Sequence, residues 1–357
     1  MLKQENRQKN VIFEYLRFLN ALLIICCHMY MLDRNLTEWK MQGGYIAVEF
    51  FIFLTGFLTT GHWDRISSEE YKGEEEKCST MYMVKKIKKI LPYTVTAYIY
   101  IYIYIYVCSS LWNDKGLLRS VLFSSVWDFS LLQTSGLGIN NYIQPLWYVS
   151  AMIFTLPIFS WICIKWNLFF RYIFSWIVPI LIYGWFFESE KTIADSHSIL
   201  RMFAGLLMGA FCFYISKEYG GNKKINSRFV QIILRIIVVL CVLLELYVAS
   251  YVKHSVDDFV IIPILVCMIV SISLLRPVRL KYMLLDKIGT ILGKISLPVY
   301  VFHPIVMITT RDHMQLSLYF KLILTIVISV MVSFLMMGLI KLFHKIELTG
   351  KAGNDSI

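Results

Sequence analysis

The chain alternates between long apolar runs and short polar connections. The runs fall at 11–31, 45–62, 90–111, 146–164, 170–187, 199–216, 229–250, 259–275, 291–310 and 319–342. Each is close to the roughly 20 residues that a membrane-spanning helix needs. The pattern therefore predicts ten spans. The run at 170–187 is interrupted by Arg171 and Pro179. The stretch 117–139 is apolar only in part and carries Arg119, Asp128 and several serines, so it reads as a re-entrant or interfacial segment. From Tyr98 to Tyr106 tyrosine and isoleucine alternate with a period of two. Alone, that period signals a strand. A lone strand in lipid would leave its backbone unpaired, so a helix is predicted, with tyrosines all round it.

Basic residues set the expected orientation. With the N-terminus inside, Lys3, Arg7 and Lys9 lie in the cytoplasm, as do Arg65, Lys72, Lys77 and Lys85 to Lys89 in the next inner loop. The later inner loops hold Lys165 and Arg171, then Lys217, Lys223, Lys224 and Arg228, then Arg276, Arg279, Lys281, Lys287 and Lys294. The outer loops are poorer in base, with Glu188, Glu190, Lys191 and Asp195 in one and Lys253, Asp257 and Asp258 in another. This alternation follows the positive-inside rule. The expected fold is an all-α membrane protein, a polytopic bundle of about ten transmembrane helices with both termini cytoplasmic. One transmembrane domain is expected over 1–345, with a short cytoplasmic tail at 346–357. The first apolar run is too long for the core of a cleavable signal peptide.

Composition agrees and narrows the field. Hydrophobic residues make up 57% of the 357 and charged residues 17%, against about 25% charged in a soluble domain. A soluble fold, a disordered chain and a disulfide scaffold are excluded on those figures. The net charge of +11 is accounted for by the inner loops. No basic stretch interleaves with aromatics in a soluble segment, so no nucleic-acid partner is expected. The eight cysteines show no C-x-x-C spacing, and Cys26 and Cys27 are adjacent in an apolar run. Free buried thiols are expected, and no metal site.

A few polar residues sit inside the apolar runs. Arg17 and His28 are eleven residues apart in the first. On a helix they lie within roughly 20° of one face and about 16 Å apart along the axis. Glu14 is one turn below Arg17. An intramembrane ionisable group is a functional hypothesis by default, although Arg17 and His28 could each snorkel to a boundary. Glu49 lies inside the second run, where Thr55 and Gly56 allow close helix packing. Lys85, Lys86, Lys88 and Lys89 precede Pro92 at the end of the inner loop. They anchor the third span or cradle a phosphorylated cytosolic ligand. His303 lies between Pro298 and Pro304, where the helix must loosen. It is either satisfied by a freed carbonyl or chemically active.

These residues carry a resemblance. Arg17-x10-His28, the segment Glu49-Phe50-Phe51-Ile52-Phe53-Leu54-Thr55-Gly56-Phe57, the basic pairs before Pro92, Leu146-Trp147-Tyr148 and Ser296-x3-Tyr300-x2-His303 occur in order. Together they resemble the acyltransferase-3 family of integral membrane acyltransferases over essentially the whole chain. The resemblance implies transfer of an acyl group, usually acetyl from acetyl-CoA, to sugars of the cell envelope such as surface polysaccharide. It implies the bacterial plasma membrane as the location. The family's essential Arg and His fall on Arg17 and His28, its second-span acid on Glu49 and its late His on His303. Two positions depart from the pattern. Lys86 and Lys89 stand where the family has Arg-x-x-Arg, which keeps the charge and loses the bidentate fork. Thr55 stands for the usual Ser. The chain ends soon after the tenth run, so no fused esterase-like domain is expected.

The resemblance and the depths of these residues suggest a mechanism. Arg17 and Lys85, Lys86, Lys88 and Lys89 would hold the phosphates of cytosolic acyl-CoA. His28 would be the general base on a hydroxyl of a surface or lipid-linked saccharide. Glu49 would orient His28, and His303 would stabilise the oxyanion or relay a proton. Lipid surrounds the bundle. Two other classes fit some features. A transporter or flippase of a lipid-linked saccharide would also use broken helices and buried charge. In an assembly protein, Arg17 and Glu14 would simply pair.

Overall fold

The computed structural model describes residues 10–33, 39–66, 73–108, 115–135, 143–193, 197–251, 255–276, 283–313 and 316–354. Helices dominate, and no strand occurs among the described residues. In chain order they are α1 (Val11–Cys27), α2 (Ala47–Trp63), α3 (Glu75–Cys108), α4 (Lys115–Phe129), α5 (Trp147–Lys165), α6 (Asn167–Phe169), α7 (Ser175–Glu188), α8 (Ser198–Gly220), α9 (Arg228–Tyr251), α10 (Ile261–Leu274), α11 (Met283–His313) and α12 (Leu318–Asn354). Tight 3-10 turns at His28–Met31, Gln42–Ile46 and Val256–Val260 follow α1 and precede α2 and α10.

Ten helical segments are long and apolar enough to cross a membrane. They coincide with the ten apolar runs of the sequence, with shifted ends. The largest shift is at the third, which runs Glu75–Val107 instead of starting at 90. The lysines expected in a loop therefore ride on α3. Lysine is a good helix former, and Pro92 breaks only one backbone bond, which a spanning helix tolerates. The softer fifth span consists of α6, a π turn over Phe170–Phe174 that holds Arg171, and α7. Arg171 leaves the apolar face by pairing with Glu218 at 2.7 Å. The last helix, α12, continues to Asn354.

The chain divides into two compact units. The first comprises Met1–Cys27, Glu38–Val84 and Ala151–Lys294, and the second His28–Thr37, Lys85–Ser150 and Ile295–Ile357.

In the first unit α8 packs against α2, α7 and α10, and α10 packs against α9. Glycine makes the α2–α8 seam close. A Cβ on Gly56 would strike the Leu206 backbone, and one on Gly209 would strike the Phe53 carbonyl. Small residues facing each other let two backbones approach and gain dispersion contacts where lipid offers no hydrophobic drive. Phe50, Ile52, Phe53 and Leu206 fill the buried faces beside them.

The second unit contains the tyrosine run, α4, the later part of α11, and α12. The run is helical, as its lipid setting requires. Tyr98 is buried, whereas Tyr100 and Tyr106 are exposed. Tyr102 donates to Asp128 Oδ2 at 2.7 Å, and the Gln133 amide donates to Asp128 Oδ1 at 3.0 Å and to the Tyr98 hydroxyl at 2.5 Å. Thus α4 is tied to α3 by a buried polar network and is not one of the ten spans. Burial raises the Asp128 carboxyl above its usual range, and the two donors oppose that shift.

Candidate active site

The expected residues are shared between the two units. The α-helical part of the first span stops at Cys27, and in the second unit His28 opens the 3-10 turn that follows. His28 Nδ1 lies 3.0 Å from His303 Nε2. The ring centroids are 5.1 Å apart. His303 is fully buried in α11, and its Nδ1 lies 2.7 Å from the carbonyl oxygen of Tyr300. The Tyr300 hydroxyl donates to the Pro145 carbonyl, and its ring meets the edge of Tyr148 at 6.4 Å.

For two neutral rings this chain of contacts sets one order of protons. A carbonyl oxygen only accepts, so His303 Nδ1 carries the N–H. In a neutral imidazole the other nitrogen then accepts. His303 Nε2 therefore accepts from His28 Nδ1–H, which leaves the lone pair of His28 on Nε2. In that order the half-buried His28 carries its proton on the nitrogen that faces His303.

In the first unit Glu49 lies in the first turn of α2 and is wholly buried. Its Oε1 accepts from Arg201 Nε at 2.5 Å, and its Oε2 accepts from the Tyr183 hydroxyl at 3.1 Å. Arg201 stands at the start of α8 and Tyr183 in α7. Close by in the same unit, Asp258 Oδ2 accepts from the Tyr45 hydroxyl at 2.8 Å and from the Ile193 N–H at 3.0 Å. The starts of α2, α8 and the α10 span thus share one buried polar cluster. The two acids sit in first turns, where the helix dipole favours anions.

Arg17 also belongs to the first unit, and its Nη1 pairs with Glu14 Oε2 at 3.2 Å. Glu14 is nearly buried against α11, in the space that a Cβ on Gly293 would need. The pairing expected of an assembly role is therefore present, and it also orients the guanidinium. Lys85, Lys88 and Lys89 are exposed on the part of α3 that belongs to the second unit, and Lys86 is half-buried. Positions 85, 88 and 89 share one helical face.

Sequence reasoning passed over Arg201, Tyr183 and Asp258. Arg201 was visible as an arginine just inside the run 199–216. Asp258 was assigned to an outer loop, yet it is buried, whereas its neighbour Asp257 is exposed. Glu245, deep in α9, is wholly buried, with neither oxygen hydrogen-bonded among the described residues. The free cysteines at 27, 163, 212 and 241 are buried, whereas Cys267 is exposed. No cluster of three metal-ligating side chains occurs among the described residues.

The acyltransferase-3 family model, an acyltransferase domain, matches residues 10–342. No curated protein and no solved structure matches the chain. The match spans all ten apolar helices and both residue groups, and it covers well over half of the chain. The protein is therefore a member of the acyltransferase-3 family of integral membrane acyltransferases.

Proposed function

We propose that this acyltransferase moves an acetyl group from acyl-CoA to a hydroxyl of a surface or lipid-linked saccharide, with His28 as general base. The observation that carries this reading is the contact chain from the Tyr300 carbonyl through His303 to His28. It supports a lone pair on His28 Nε2, the nitrogen that would take the proton of the acceptor hydroxyl. As the acceptor oxygen bonds to the thioester carbonyl carbon, the carbon–sulfur bond breaks, and the proton held by His28 passes to the departing sulfur. His303 keeps the imidazole in register and spreads the charge that forms on it.

Lys85, Lys86, Lys88 and Lys89 are assigned to the phosphates of the donor. Three exposed ammonium groups on one helical face suit an anion with several charges. Arg17 is assigned to the same anionic substrate on the family resemblance, with Glu14 setting its direction. Glu49 is kept in the functional set as the acid held by Arg201 and Tyr183. The acceptor is a saccharide of the bacterial envelope on the resemblance alone.

The test uses purified protein, radiolabelled acetyl-CoA and a panel of envelope saccharides. His28→Ala should insert and fold normally and lose transfer by at least about 100-fold, the usual range for removing a general base. Transfer within a few-fold of the parent would reject His28 as the base. No transfer by the parent protein to any saccharide, with slow thioester hydrolysis intact, would move the acceptor to another class.

A further inference from the structure

The second proline of α11, Pro304, stands four residues after Tyr300. In an α-helix each N–H donates to the carbonyl four residues earlier. Proline has no N–H, so position 304 cannot supply the bond that the Tyr300 carbonyl would otherwise receive. A buried carbonyl needs a donor, and this one finds it in His303 Nδ1 at 2.7 Å. The carbonyl released by the proline, with the Val299 carbonyl beside it, thus draws the His303 proton to Nδ1. That choice passes on to His28 through the 3.0 Å contact between the two rings. Tyr300, His303, Pro304 and His28 all belong to the second unit.

We propose that Pro304 is a positioning residue for acyl transfer: by withholding an N–H from the Tyr300 carbonyl it reserves that oxygen for His303 and so keeps the basic lone pair on His28 Nε2. This rests on His28 being the base. The residue that matters at 304 is one without an N–H, whatever its side chain. At 300 only the carbonyl matters, because the Tyr300 hydroxyl is engaged elsewhere, with Pro145. A proline kept only to bend the helix or to fill space would act through its ring and not through the missing hydrogen.

Two substitutions at 304 separate these roles. Pro304→Ala restores the N–H, which then competes with His303 for the Tyr300 carbonyl. Its kcat should fall about 10- to 100-fold, the range seen when the partner of a functional histidine is lost, with KM for both substrates within about twofold. Lactic acid placed at 304 by nonsense suppression has the side chain of alanine, but an ester oxygen where alanine has its N–H. That chain should retain kcat within about threefold of the parent. Equal loss in both chains, or full activity in both, would overturn the proposal.

A third measurement does not depend on activity. In the parent protein with nitrogen-15 histidine, solid-state NMR should find His303 protonated at Nδ1 and bare at Nε2, and His28 protonated at Nδ1. A His303 protonated at Nε2 overturns the proposal even if the alanine chain fails to assemble. Retained transfer by His28→Ala would instead sink the base reading and leave these spectra unchanged, so the two failures are told apart.

Discussion

His28 and His303 stand 275 positions apart, and each means little without the other. The proton on one nitrogen of a histidine is decided by what the other nitrogen meets. The Glu49–Arg201 pair is governed by burial instead. Its side chains are 0% and 5% exposed. Removing one partner of such a pair strands a buried charge and costs about 3–5 kcal/mol, while replacing both by apolar groups of similar size is often neutral. Glu49→Leu and Arg201→Met should each destabilise the protein by about that amount, and the double substitution should recover most of it in detergent unfolding. Strict additivity of the two losses would show that the pair does not act as a unit. Asp128 lies outside the spans and gives a pH signature. Its carboxyl is raised by burial, so the folded state holds the proton above the pH at which the unfolded chain releases it. Its contribution is therefore full below about pH 4, the unfolded value, and is lost as pH rises through the folded value. The stability of the parent relative to Asp128→Asn should decline over that window, and a constant difference would contradict the shift.

At the scale of elements, the ten apolar runs were readable because a membrane helix needs only length and apolarity, and both are local properties of a sequence. The tyrosine run was readable as a helix for the same reason. What could not be read was which helices meet. Arg201 and Glu49 are 152 positions apart, and their pairing depends on α8 lying against α2 along a glycine seam. The first span runs to Met31 as its apolar run does, but it tightens from α to 3-10 at His28, which spacing alone does not show. The lysines were misplaced because charge and proline usually mark a loop, whereas α3 carries both. Lys85 and Lys89, four apart on that helix and both exposed, should act together. Lys85→Ala with Lys89→Ala should raise KM for acyl-CoA on the order of tenfold and leave kcat near the parent value. A large loss of kcat at unchanged KM would remove the lysines from donor binding.

Over the whole molecule, the low charge content sorted itself into two kinds. Most lysines and arginines lie at the ends of spans, while Glu49, Arg201, Asp258, His303 and Glu245 are buried within them. The basic connections also predict a direction through the membrane. Glu190 follows α7 and is expected outside, and Asn222 follows α8 and is expected inside. Both are exposed. In a chain stripped of its own cysteines, Glu190→Cys should react with an impermeant maleimide in intact cells. Asn222→Cys should react only after permeabilisation. The opposite pattern would invert the topology and place the termini outside.

The run of α3 straight through its lysines has a consequence for how this segment tolerates insertion and deletion. A loop absorbs an extra residue by rearranging, but a helix turns by about 100° and lengthens by about 1.5 Å for each one. One residue inserted after Ile90 would swing Lys85, Lys88 and Lys89 onto another side of α3 while the rest of the helix stayed in place. The distance from the lysines to Pro92 is therefore a fixed measure of the fold.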